Sequence, residues 1–126
     1  MSNYNIAITK NPDYDIAYNN RGRLYFELKD ISSASSDFDK AISLNPENAL
    51  AYNNRGIIYH KNKDYATAIA DFDKAISLDE NYAKAYLNRG ISKQMKRDED
   101  GACADWEKAF DLGIELAKKY LMNDCY

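Results

Sequence analysis

The sequence predicts an all-α fold of stacked helix pairs, and three observations carry that reading. The 126-residue chain repeats itself. Blocks of 34 residues starting at Asp15, Ala49 and Ala83 align, the first two agreeing at 18 of 34 positions and the second and third at 14. Apolar and aromatic residues recur at helical spacing within a block, as Tyr52, Gly56 and Tyr59, then Ala68, Phe72, Ala75 and Ile76. No run of β-branched residues alternates with polar ones, so no strand is predicted. A single pair of helices cannot bury its apolar face alone, which makes each block depend on its neighbours.

Taken in order, residues 1–14 read as half a unit. Tyr4, Ala7, Ile8 and Pro12 hold the aromatic, Ala, Ile and Pro places of a second helix whose first helix is missing. That leaves an apolar edge open to self-association. The full blocks are expected at 15–48, 49–82 and 83–113. Their first helices share an Ala-Tyr pair (Ala17-Tyr18, Ala51-Tyr52, Ala85-Tyr86) and an Asn-Arg-Gly run (Asn20-Arg21-Gly22, Asn54-Arg55-Gly56, Asn88-Arg89-Gly90). Asp30, Asp64 and Asp98 stand where each second helix should start, placed to accept the unpaired amide hydrogens of its first turn. Each second helix carries Ala-x-x-Asp-aromatic-x-Lys-Ala around Phe38, Phe72 or Trp106. Pro46 ends the first block, whereas Glu80 and Ile114 hold that place in the next two. Residues 114–126 form a cap and tail, with a short helix over Glu115 to Met122. Leu116, Ala117, Tyr120 and Leu121 lie on one side of it, and Lys118 and Lys119 on the other, near the C-terminal end that favours positive charge.

The repeated residues explain the stacking. Glycine and alanine let helices approach closely, and a ring one turn away fills the space, so Tyr18, Tyr25 and Phe38 are expected in a buried layer with their counterparts. Truncating one such ring costs about 3–5 kcal/mol. Each arginine of the Asn-Arg-Gly run has an aspartate 16 positions later, Arg21 with Asp37, Arg55 with Asp71 and Arg89 with Asp105, which we read as ion pairs bracing the helices.

These motifs resemble the tetratricopeptide repeat family. In the second block the matching residues are Tyr52, Gly56, Tyr59, Ala68, Phe72 and Ala75, and the resemblance covers Asp15 to Gly113 directly. Two departures stand out: arginine replaces the family's leucine before each glycine, and Lys93 replaces the third block's tyrosine. The resemblance implies an α-solenoid, a right-handed superhelix of antiparallel helix pairs. It also implies that first helices line a concave groove whose non-repeating residues select a ligand. The groove places carry Ile16, Asn19, Arg23, Phe26 and Glu27 in the first block. The second block puts Leu50, Asn53, Ile57, His60 and Lys61 there, and the third Lys84, Leu87, Ile91, Gln94 and Met95. Phe26, Ile57, Leu87, Ile91 and Met95 offer apolar contact, while Asn19, Asn53 and Asn54 can bond an extended backbone. Chaperone-binding relatives grip an acidic C-terminal peptide with a five-residue carboxylate clamp. Only Asn54 and Lys84 match it here, with Asn19, Arg23 and Asn88 at the other three places, so clamp activity is not expected.

Other chemistry finds little footing. Net charge is −3, with acids and bases interspersed and no polybasic run, so neither a nucleic acid nor a membrane surface is expected as partner. No apolar stretch is long enough to span a bilayer. Met1 to Lys10 lacks both a charged leader and an apolar signal core, and the two cysteines make no disulfide framework, which together suggest the cytoplasm. Cys103 reads as a small core residue and Cys125 as a terminal thiol, a bond between them being the alternative. The single histidine, His60, has no triad pattern around it and reads as a groove contact. Acidic pairs such as Asp37/Asp39 and Asp71/Asp73 point in different directions on a helix and do not converge on a metal. The expected role is therefore a non-catalytic scaffold or adaptor without cofactor, holding a protein or peptide partner. The alternative is a structural module forming homo-oligomers through its N-terminal edge.

Overall fold

The computed structural model describes residues 14–126, so the N-terminal half-unit expected around Tyr4, Ala7, Ile8 and Pro12, with its self-association edge, lies outside the described residues. Within them the chain forms seven α-helices and no strand. They are α1 (Asp15–Glu27), α2 (Ile31–Leu44), α3 (Ala49–Lys61), α4 (Tyr65–Leu78), α5 (Ala83–Met95), α6 (Glu99–Asp111) and α7 (Leu116–Asp124). Consecutive helices pack on one another, α1 with α2, α3 with α4 and α5 with α6 most closely, as an all-α solenoid requires.

Local residues set the helix ends. The Asp30, Asp64 and Asp98 side chains accept from the amides of Ser33, Thr67 and Gly101 and start α2, α4 and α6. Just before each cap the chain turns through the left-handed region, at Lys29 (φ 64°), Lys63 (φ 64°) and Arg97 (φ 65°). The cap amide then reaches back to the helix behind, as Asp64 does to the Tyr59 carbonyl at 2.9 Å. The third unit closes differently. Helix α6 stops at Asp111, Gly113 takes φ 105°, and the chain swings into α7.

Glycine against ring is the packing motif of every pair. A methyl added to Gly22 would lie 2.7 Å from the Phe38 ring, and one on Gly56 2.6 Å from Phe72. On Gly90 it would lie 2.6 Å from the Trp106 indole. These rings and Ala34, Ala68 and Ala102 are fully buried. Tyr18 and Tyr25, expected in the buried layer, are instead half-buried, because they flank the Arg21 guanidinium, each ring 5.6 Å from it.

The arginine–aspartate pairs are present in all three units and bidentate. Arg55 Nε and Nη2 both reach Asp71 at 2.9 Å, and Arg89 reaches Asp105 at 2.9 and 2.7 Å. Two of the networks also run between units: Arg55 Nη1 reaches back to Asp39 at 3.2 Å and Arg89 Nη1 to Asp73 at 2.9 Å. The two aspartates of each pair thus serve different arginines. Where the third unit lacks its tyrosine, Lys93 Nζ joins Asp105 at 3.2 Å.

The C-terminal cap corrects two expectations. Cys103 and Cys125 are joined in a disulfide, not separate thiols, which ties the end of α7 to α6. The cap also buries Ala117 and Leu121 but leaves Leu116 about half exposed, because the chain enters α7 with Leu116 turned toward the groove. Tyr120 stacks on Trp106 with ring centroids 5.0 Å apart, closing the last apolar layer. Among the described residues, no helix is long and apolar enough to cross a membrane.

Candidate functional site

One side of α1, α3 and α5 opens onto a broad cavity of about 680 Å3. Leu50, Ile57, Leu87, Ile114 and Leu116 give it apolar walls, and Asn53, Asn54, Asn88 and Tyr82 add polar groups. Among the described residues, Arg23 and Lys84 are the only charged ones that line it, with no carboxylate beside them.

The helices position these side chains through an asparagine relay. Asn19 and Asn53 are almost wholly buried, at 2 % and 3 % exposure. Each accepts from the asparagine 35 residues on: Asn54 Nδ2 donates to Asn19 Oδ1 at 3.0 Å, and Asn88 Nδ2 to Asn53 Oδ1 at 3.1 Å. Asn19 and Asn53 therefore join the units to one another, while Asn54 and Asn88 face the cavity with one amide hydrogen committed and further capacity left. Leu87 stands where the next buried asparagine would be and ends the relay in an apolar contact. The Tyr82 hydroxyl is pushed up from the ordinary tyrosine range, mainly by burial, with hydrogen bonding to Asn53 and the nearby Arg23 charge acting against it.

Two smaller recesses lie along the same face. One, of about 90 Å3, is lined by Arg23, Phe26, Glu27, Phe38, Asn54 and Ile57. The other, of about 70 Å3, is lined by Ile57, His60, Phe72, Asn88 and Ile91. His60 Nδ1 lies 2.8 Å from the Oγ of fully buried Ser92, and its ring meets Tyr65 edge-on at 5.1 Å. Burial lowers its pKa and favours the neutral imidazole. The Lys61 ammonium sits 5.8 Å from the Phe26 ring centroid. Among the residues expected in the groove, Ile16 and Met95 are about half exposed and line none of these recesses.

Sequence reasoning passed over Tyr82, Asn88, Ile114 and Leu116 as groove contacts. Asn88 was open to discovery, since it repeats Asn54 34 positions later. Tyr82 and Ile114 come from the connections before α5 and α7, and Leu116 is the first residue of α7, where the repeat pattern has no groove place. Among the described residues no three His, Cys, Asp or Glu side chains converge as metal ligands would.

Comparison with known proteins agrees with this fold. The family model described as "Tetratricopeptide repeat" matches residues 49–82, and the one described as "TPR repeat" matches 22–63. The human Tetratricopeptide repeat protein 6 is 48 % identical over 40 residues, 32 % of this chain, and that match spans only 8 % of the human protein's length. Among solved structures, the first TPR of Spaghetti (RPAP3) bound to the HSP90 peptide SRMEEVD is 25 % identical with a TM-score of 0.81, the alignment covering 86 % of this chain and 87 % of that one. The second TPR of Spaghetti, bound to the same peptide, is 30 % identical with a TM-score of 0.75, over 78 % of this chain and 91 % of that one. The Arabidopsis OM64 TPR domain is 27 % identical with a TM-score of 0.79, over 86 % and 93 %.

Proposed function

The chain belongs to the tetratricopeptide repeat family, and on that premise we propose that it is a non-catalytic protein-interaction module that takes a peptide or partner segment in its concave groove. One observation carries the proposal: among the described residues, the open cavity combines five aliphatic side chains with two cations, free amide capacity and no carboxylate. A hydrocarbon floor supplies affinity, the amides Asn54 and Asn88 can bond a main chain, and the cations add a preference for acidic residues. Leu50, Ile57, Lys84 and Arg23 are the residues proposed to contact it.

Two solved neighbours hold the HSP90 peptide SRMEEVD. In this chain Asn19, one of the five clamp places, is buried and accepts from Asn54, another of them. We therefore propose that any acidic peptide is held along its length and not through a terminal carboxylate. SRMEEVD with a free or an amidated C-terminus should then bind with affinities within about threefold of each other, a difference below about 0.7 kcal/mol. A loss of a hundredfold or more on amidation would restore the clamp.

The groove itself is tested by selecting binders from a displayed peptide library and mapping them on the chain by amide chemical shifts. Shifts centred on Leu50, Ile57, Lys84 and Leu87 support the reading. Selected binders that perturb only α2, α4 and α6 would refute it.

A further inference from the structure

The two small recesses are one socket repeated. Adding 34 to Arg23, Phe26, Phe38, Asn54 and Ile57 gives Ile57, His60, Phe72, Asn88 and Ile91, which are the five residues lining the second recess. Each socket has a ring at its base, Phe38 or Phe72, and an asparagine and an isoleucine on its wall. The varying positions set the difference: Arg23, Phe26 and Glu27 rim the first, whereas Ile57 and His60 close the second with almost no polar surface. Ile57 belongs to both sockets and to the broad cavity between them. At about 90 and 70 Å3 the sockets fall well below the roughly 300–1,000 Å3 of a small-molecule site, and each suits one aliphatic side chain.

We infer that the partner is an extended, acidic segment that seats two aliphatic side chains three residues apart, one in each socket. The inference rests on the groove reading and adds its register and chemistry. Spacing comes from the scaffold. Helices α1, α3 and α5 are bonded directly side by side, through Asn54 to Asn19 and Asn88 to Asn53, so equivalent points lie about one interhelical distance apart, roughly 8–10 Å. A polyproline-type segment returns to the same side every three residues with a rise of about 3.1 Å each, or about 9 Å. A flat strand puts residues three apart on opposite faces. Extension is favoured because Asn54 and Asn88 line both the sockets and the cavity with amide capacity to spare. An extended main chain has free carbonyl and amide groups to offer them, whereas the middle of a helix has none. The acidic preference follows from charge: among the described residues, Arg23 and Lys84 are the charged ones lining the cavity, and no carboxylate answers them there.

The test uses the full chain and fluorescein-labelled peptides, acetylated and amidated at their ends, each with two leucines separated by one to six Asp or Ser residues. Anisotropy titrations should show the two-residue spacer binding about tenfold or more tighter than the one- and three-residue spacers. Replacing either leucine of that peptide with serine should remove the advantage, which probes each socket without altering the protein. Ile91→Trp, filling the second socket, should lower affinity to the single-leucine level at unchanged helicity. Tight binding that ignores spacing would overturn the register while leaving the groove reading standing. A peak at the six-residue spacer with induced helicity would overturn it in favour of a helical partner. If no spacing binds, the register is also wrong, and the library selection then decides separately whether the groove reading survives.

Discussion

Helix α3 carries two faces that obey different rules. One face holds Tyr52, Arg55, Gly56 and Tyr59: glycine meets the Phe72 ring, and the arginine lies between the two tyrosines, 5.6 and 5.9 Å from their centroids, while reaching Asp71 and Asp39. The other holds Leu50, Ile57, His60 and Lys61; the first unit puts Arg23 in the place of Ile57, the third puts Lys84 in that of Leu50, and both neighbours change His60 and Lys61. Residues that must stack are repeated; those released from stacking are free to differ. The difference teaches that substitutions on the first face should be felt as lost stability, and on the second as lost binding.

Phe72→Ala strikes the first face hardest. It empties the space beside Gly56 and should cost about 3–5 kcal/mol in denaturant unfolding. A loss below about 1 kcal/mol would mean that the ring–glycine contact is not what holds the pair. The cap, outside the repeat, relies on a covalent tie instead. With Cys103 and Cys125 separated by 22 residues, Cys125→Ser should cost about 3 kcal/mol by loop entropy, and a reductant should have little effect on that variant. Asp71→Asn removes the charge opposite Arg55 and should cost about 2 kcal/mol, a network loss spread over two units.

His60 sharpens the comparison from the varied face, with the smallest effect. Its folded pKa is lowered by burial from the ordinary 6.5, so below that value the unfolded chain takes up a proton that the folded chain resists. Stability conferred by the neutral ring is therefore complete well above pH 6.5 and declines as pH falls below that value. His60→Gln should flatten the thermal midpoint over that window. An unchanged slope would show that other groups titrate there.

Much of this was legible in the residues because the period of 34 multiplies each signal three times. Glycine, ring, cap aspartate and arginine–aspartate pair each recur in step, so the solenoid and its braces follow from spacing. The asparagine relay was less visible. It joins the fifth position of one block to the sixth of the next, an offset of 35 that a search at the repeat period passes over. For the same reason Asn19 and Asn53 looked like free groove amides and proved to be buried. The cap was hardest to read, since Cys125 lies beyond the blocks and the second-block residues at the places of Cys103 and Ile114, Ile69 and Glu80, predict neither a disulfide nor a groove wall. Lys93, read only as a departure from pattern, takes a place beside Asp105 that a tyrosine could not fill with charge.

The account rests on the varied face binding while the repeated face only holds. Its most direct test pairs two aspartate substitutions, Ile57→Asp in the groove and Ala70→Asp on the exposed side of α4, and measures a groove-selected peptide by calorimetry beside thermal unfolding. The prediction is that both variants stay folded and only Ile57→Asp loses the peptide, by about thirtyfold or more. Equal affinity in the two variants would contradict it.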